Sequence, residues 1–151
     1  ECVADELHER FALKGIVRGP TPKEKLKLKA DNELKSGFQF GLTLEGIENC
    51  DAIVLANGDW GGCSSGGVSS SVELEKLGIP GMIIATVPFV DACKGMAKMG
   101  GMPDLEYAVV PHPIGSLNEE QLRERARSAV DQFVPIVTKN GNSWKQIPWR
   151  T

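Results

Sequence analysis

Hydrophobic positions along the chain switch between helical spacing and short continuous runs, and each switch marks an element. The opening segment CVADELHERFALKG carries Val3, Leu7, Phe11 and Ala12–Leu13 at helical spacing, with Gly15 as the stop. Ile16–Val17 reads as a short strand and RGPTP as a loop. KEKLKLKADNELKSG reads as a solvated helix or hairpin face, its lysines diluted by Glu24, Asp31 and Glu33. DAIVLAN is a continuous apolar run between turn-rich segments, the pattern of a strand buried on both faces. SSSVELEKLG then places Val72, Leu74 and Leu77 on a helix that starts near Val68 and ends at Gly78. A second buried strand, IPGMIIATVPF, leads into a helix, VDACKGMAKMGG, broken at Gly100–Gly101. Tyr107–Val110 is a third strand running into a proline-bounded turn. NEEQLRERARSAVDQFVPIVTK is an amphipathic helix with Asn118 as N-cap, acids in its first turn, and a core stripe of Leu122, Ala126, Ala129–Val130 and Phe133.

Strand–helix alternation of this kind predicts an α/β fold, an open and mainly parallel sheet with helices on both faces. No repeat or second domain is visible, so residues 1–151 read as a single α/β domain. The tail 140–151 carries Trp144 and Trp149 outside any core element. It either packs back on the domain or docks on a partner subunit.

Composition narrows the function classes. The 41% apolar and 25% charged residues are those of an ordinary globular chain. A net charge of −3 supplies no basic footprint for nucleic acid or for a membrane surface. No apolar run approaches the roughly 18–20 residues of a membrane span. Cys2, Cys50, Cys63 and Cys93 form no CxxC pair, so the signature of a zinc ribbon or a thioredoxin-type site is missing. Reduced thiols in the cytoplasm are the expectation, three of them structural.

Candidate chemistry comes from the strand ends. In open α/β sheets ligands bind at the carboxyl edge. Three loops gather there, Gly58–Gly67, Thr86–Phe89 and Pro111–Gly115, and they bring Cys63, Thr86 and His112 near one another. Cys63 lies among Gly61, Gly62, Gly66 and Gly67, which permit positive φ and inward-pointing amides. The helix start behind it favours a thiolate, and the same amides suit a substrate carboxylate or phosphate. His112, in Pro-His-Pro, is the candidate base. The alternative is a small buried cysteine beside a tight strand–helix turn, with Ser64 or Ser65 capping and His112 structural. Cys50 precedes the strand that Cys63 follows, too far for a pair, and Cys93 suits the core. Asp59, Cys63 and His112 match no standard metal-ligand spacing, and no GxGxxG motif is present, so neither a metal nor a cofactor is expected.

With these residues in view, CDAIVLANGDWGGCSSGGVSSSVELEKLGIP, the strand ending in ATVPF, GMPDLEYAVVPHPIG and the acidic–basic helix together resemble the UGSC-type (seleno)protein family. Its broader relatives are the substrate-specific component B subunits of glycine, sarcosine and betaine reductases. The resemblance runs from about Cys50 to Thr138. In the family signature, Gly-Asp is followed by a selenocysteine or cysteine, two residues and a second cysteine. Here Gly58–Asp59 match, Trp60 stands at the first chalcogen position and Cys63 at the second. That departure removes a selenenylsulfide or disulfide cycle within the motif. Glu1 precedes Cys2, so an N-terminal pyruvoyl group has no support. The resemblance also implies a first strand ahead of the opening helix, which this chain lacks. It was cleaved off or sits on a separate polypeptide, and a homo- or hetero-oligomer is expected.

The resulting expectation is a cysteine-dependent enzyme, lyase or reductase-like. It cleaves or forms a carbon–heteroatom bond (C–S or C–N) in a small anionic substrate. Cys63 is its nucleophile, Asp59 and His112 are its proton-transfer partners, and Trp60, Gly61, Gly62, Ser64, Ser65 and Thr86 bind substrate. The rival is a non-catalytic structural or substrate-binding subunit of a hetero-oligomeric reductase-like complex, with Trp60 filling the old active position. A metal-dependent hydrolase using Asp59, Cys63 and His112 ranks third.

Overall fold

In the computed structural model, which describes residues 2–11, 13, 15, 50–56 and 59–139, the apolar run after Asp51 forms β1 (Ile53–Ala56). β2 (Gly81–Thr86) and β3 (Ala108–Val110) join it in one sheet of order β1-β2-β3. Both pairings are parallel, with Ile53 registered on Gly81 and Ile84 on Ala108. The central strand β2 is buried along its whole length.

Alternation within these apolar runs sorts their side chains between two cores. Ile53, Leu55, Ile83 and Ala85 pack with Val68, Val72 and Leu74 of α2 (Gly61–Lys76) and with Cys93 and Ala97 of α3 (Val90–Met99). Met82, Ile84, Ala108 and Val110 pack on the other face with Ala129, Phe133 and Val137 of α4 (Glu119–Lys139). Val3 and Leu7 of α1 (Cys2–Arg10) complete that layer. The sheet is therefore covered on both faces, as the alternation of elements predicts. Each fully buried aliphatic side chain such as Leu74 contributes about 1.5–3 kcal/mol. Cys93 is a core residue, 0% exposed, and burial pushes its thiol pKa up.

One contact fixes how closely α2 lies on the sheet. A Cβ at Gly81 would sit 3.0 Å from Leu74 Cβ and 3.2 Å from Ser71 Oγ. The Ser71 hydroxyl donates to the Gly81 carbonyl across this crossing.

The last helix begins as its sequence predicts. Asn118 Oδ1 accepts the Gln121 N–H at 2.9 Å while Gln121 Oε1 accepts the Asn118 N–H at 3.1 Å, a reciprocal cap. Further along, Gln132 reaches the edge strand. Its Oε1 accepts the Val109 N–H at 2.9 Å, and its Nε2 donates to the Val109 carbonyl at 2.9 Å and to the Ser128 carbonyl at 3.1 Å.

Two expectations about the first helix and its sequel need revision or lie elsewhere. α1 ends at Arg10 rather than at Gly15. Packing on α4 sustains it through Val3 and Leu7, and Arg10 ties its end to Asp131 at 2.7 Å, while Phe11 bends away. The strand at Ile16–Val17, the lysine-rich segment and the tail 140–151 lie outside the described residues. Among the described residues no helix is long and apolar enough to cross a membrane.

Candidate functional site

Two groups of residues meet at the carboxyl edge of the sheet: the first turn of α2, and the loop that follows β3. α2 starts at Gly61, with Trp60 as an extended N-cap that makes no side-chain cap bond. The stretch GGCSSGG, read from sequence as a loop before a helix near Val68, is thus the first two turns of that helix. Glycine costs about 1 kcal/mol per helical position relative to alanine. Packing overrides that preference, because Ser64, Gly66, Gly67 and Val68 are all buried along this segment.

The revision changes what the amides can do. Cys63 and Ser64 both donate to the Trp60 carbonyl, at 3.1 and 3.2 Å, so their N–H groups are committed to the helix. Gly61 and Gly62 remain as first-turn amides without an intrahelical acceptor. The positive-φ glycines among the described residues are Gly78 and Gly101, so the glycines around Cys63 are not in the left-handed region. Ser65 Oγ donates to the Gly61 carbonyl at 2.9 Å. Ser64 is fully buried, and its hydroxyl has no partner. Cys63 is a half-buried free thiol whose Sγ has no hydrogen-bond partner among the described residues.

The second group is held by hydrogen bonds. Asp59, just ahead of α2, reaches across to the loop after β3. Its Oδ1 accepts the Ile114 N–H at 2.8 Å, and its Oδ2 accepts the Gly115 N–H at 2.5 Å. Partial burial opposes ionisation of this carboxylate. The two N–H groups and the neighbouring His112 outweigh it, and Asp59 is held below its ordinary value of 3.8. His112 Nδ1 lies 3.4 Å from Asp59 Oδ1 and 3.3 Å from the hydroxyl of Thr86, the last residue of β2.

Phe89, in the 3-10 turn Val87–Phe89 that follows β2, stands edge-on to the imidazole with centroids 5.9 Å apart at 84°. The same ring lies 3.5 Å from where a Cβ on Gly61 would be, so it spans the gap between His112 and the first turn of α2.

Of the residues singled out from sequence, Asp59, Thr86 and His112 converge, with Thr86 hydrogen-bonded to the imidazole and Asp59 within 3.4 Å of it. Trp60, Gly61, Gly62, Cys63 and Ser65 sit on the adjoining helix start. Cys63 and His112 share no hydrogen bond. Among the described residues no group of three His, Cys, Asp or Glu side chains could hold a metal ion. Sequence reasoning did not identify Phe89, Ile114 or Gly115 as site residues. Ile114 and Gly115 act through main-chain N–H groups, which leave no side-chain signature beyond the glycine closing PHPIG.

The depressed Asp59 value has a measurable consequence. Because the folded value lies below the unfolded one, the Asp59 contacts stabilise the fold fully above the ordinary carboxylate range. That contribution fades as pH falls through the folded value. The thermal midpoint of wild type should therefore exceed that of Asp59→Asn above about pH 5, and the margin should narrow as pH falls below about 4.

Comparison with known proteins identifies the family. Residues 17–139 match the UGSC family, and the chain belongs to it. No curated protein and no solved structure matches the chain significantly.

Proposed function

We propose that this UGSC-family chain is a cysteine-dependent enzyme that cleaves or forms a C–S or C–N bond in a small anionic substrate. Cys63 is the nucleophile. His112 Nε2 takes the Cys63 thiol proton, Sγ attacks the substrate carbon as the bond to the heteroatom breaks, and the departing group keeps the bonding electrons and receives that proton. Water then displaces Sγ from the carbon, giving up a proton that returns the thiol. Asp59 orients and balances the imidazole during that transfer. The Gly61 and Gly62 amides receive the substrate anion, while Trp60, Ser64, Ser65 and Thr86 shape the surroundings. Trp60 occupies the position at which the reductase component B relatives carry their first chalcogen, so the chemistry runs on one sulfur. The proposed setting is the cytoplasm, in a homo- or hetero-oligomer.

One observation carries this reading. The cluster of Asp59, His112 and Thr86 lies at the same sheet edge as the helix turn bearing Cys63, with Phe89 edge-on to His112 and reaching the start of that turn. A second reading, a non-catalytic binding subunit, draws on two facts: Cys63 has no bond to His112, and Trp60 is 75% exposed, as a docking residue would be.

Thiol reactivity separates them. At neutral pH, iodoacetamide should alkylate Cys63 at least about tenfold faster than Cys2 and Cys50, which like Cys63 are partly buried. Buried Cys93 should stay unmodified in the folded protein. Peptide mapping by mass spectrometry reads all four rates at once. Equal rates at Cys63, Cys2 and Cys50 would remove the enzyme reading and leave the binding one.

A further inference from the structure

Gly115 closes the loop after β3, and its N–H is one of the two that hold Asp59. Its φ lies outside the left-handed region, so the backbone conformation does not by itself require glycine. The side chain is another matter. A Cβ at Gly115 would lie 2.8 Å from Asp59 Oδ2, closer than a carbon and an oxygen approach without a bond. The carboxylate has little room to retreat, because Oδ1 is already 2.8 Å from the Ile114 nitrogen and 3.4 Å from His112 Nδ1.

The placement of Asp59 decides the protonation of the imidazole. His112 Nδ1 faces two oxygens. Thr86 Oγ1, at 3.3 Å, can accept from an N–H or donate to a lone pair, so it leaves both tautomers open. An ionised Asp59 can only accept, and a lone pair on Nδ1 would face its negative charge at 3.4 Å. The carboxylate therefore selects N–H at Nδ1.

We infer that Gly115 is a positioning residue: by lacking a side chain it seats Asp59 on main-chain amides, and Asp59 so seated keeps the neutral His112 proton on Nδ1 and leaves Nε2 as the site's proton acceptor. The catalytic use of Nε2 rests on the proposed function. The tautomer itself does not, and can be read without a substrate.

Nitrogen-15 NMR of the histidine rings makes the test, with the other histidine, His8, assigned by its own substitution. In wild type the neutral His112 ring should be protonated at Nδ1. In Gly115→Ala the ratio of Nδ1–H to Nε2–H should fall about tenfold or more, the size of a displaced neighbouring charge. Asp59→Asn should produce the same fall. A wild-type ring protonated at Nε2, or an unchanged ratio in folded Gly115→Ala, would overturn the assignment. Should Gly115→Ala fail to fold, the double variant Asp59→Ala, Gly115→Ala is expected to fold, because the clashing carboxylate is gone. A double variant that also fails would overturn it equally. Slow alkylation of Cys63 would defeat the enzyme reading and leave the tautomer result standing.

Discussion

Replacing Cys63 with alanine is expected to lower turnover by about four orders of magnitude or more, the usual consequence of deleting a nucleophile, with the fold intact. The structural half of this expectation follows from the surroundings of the side chain. Cys63 is half-buried and its Sγ has no partner among the described residues, so truncation strands no buried polar group. The residue lies inside α2, where alanine is the most favourable helix former. Thermal midpoints of variant and wild type should then agree closely. Turnover is to be measured on the compound recovered as a Cys63 adduct by mass spectrometry. Activity surviving in Cys63→Ala would end the nucleophile assignment outright.

Asp59→Asn is expected to lower turnover by about 10²–10⁴-fold while leaving substrate binding nearly unchanged. An asparagine cannot satisfy both of its neighbours. With its oxygen toward the amides of Ile114 and Gly115, its NH₂ faces His112 Nδ1 and moves the ring proton to Nε2. Turned the other way, donor meets donor at the loop after β3. The loss should therefore fall on kcat rather than KM, and it should accompany the change of tautomer. A loss confined to KM would make Asp59 a substrate contact instead.

Much of this architecture was legible in the chain because burial leaves a pattern. IVLA and GMIIAT are apolar runs too short for helices and bounded by breaks, so both strands could be placed. Asn118, three residues before Gln121, announces the reciprocal cap that starts α4. The meeting of Thr86 and His112 followed from the rule that parallel strands deliver their following loops to one edge, but Asp59, rather than the expected Cys63, is the third side chain at the imidazole. The start of α2 was not legible. Six consecutive small residues after Gly61 have the composition of a loop, and only the sheet beneath them, which favours a close approach, turns them into helix. For the same reason the amides of this stretch were overcounted as ligand donors, since the helix claims those of Cys63 and Ser64. The grip of Ile114 and Gly115 on Asp59 was hidden for a different reason, that every residue except proline offers the same N–H.

The side chain of Gln132 has a consequence at the far side of the sheet. An edge strand normally presents outward N–H and C=O groups on which a foreign strand can dock. At Val109 both are already bonded to one side-chain amide, at 2.9 Å each. A strand from another chain would have to break both bonds and move Gln132 out of the way before gaining any of its own. At Val109 the glutamine acts as a one-residue substitute for a neighbouring strand, and it closes that point of β3 to further growth of the sheet.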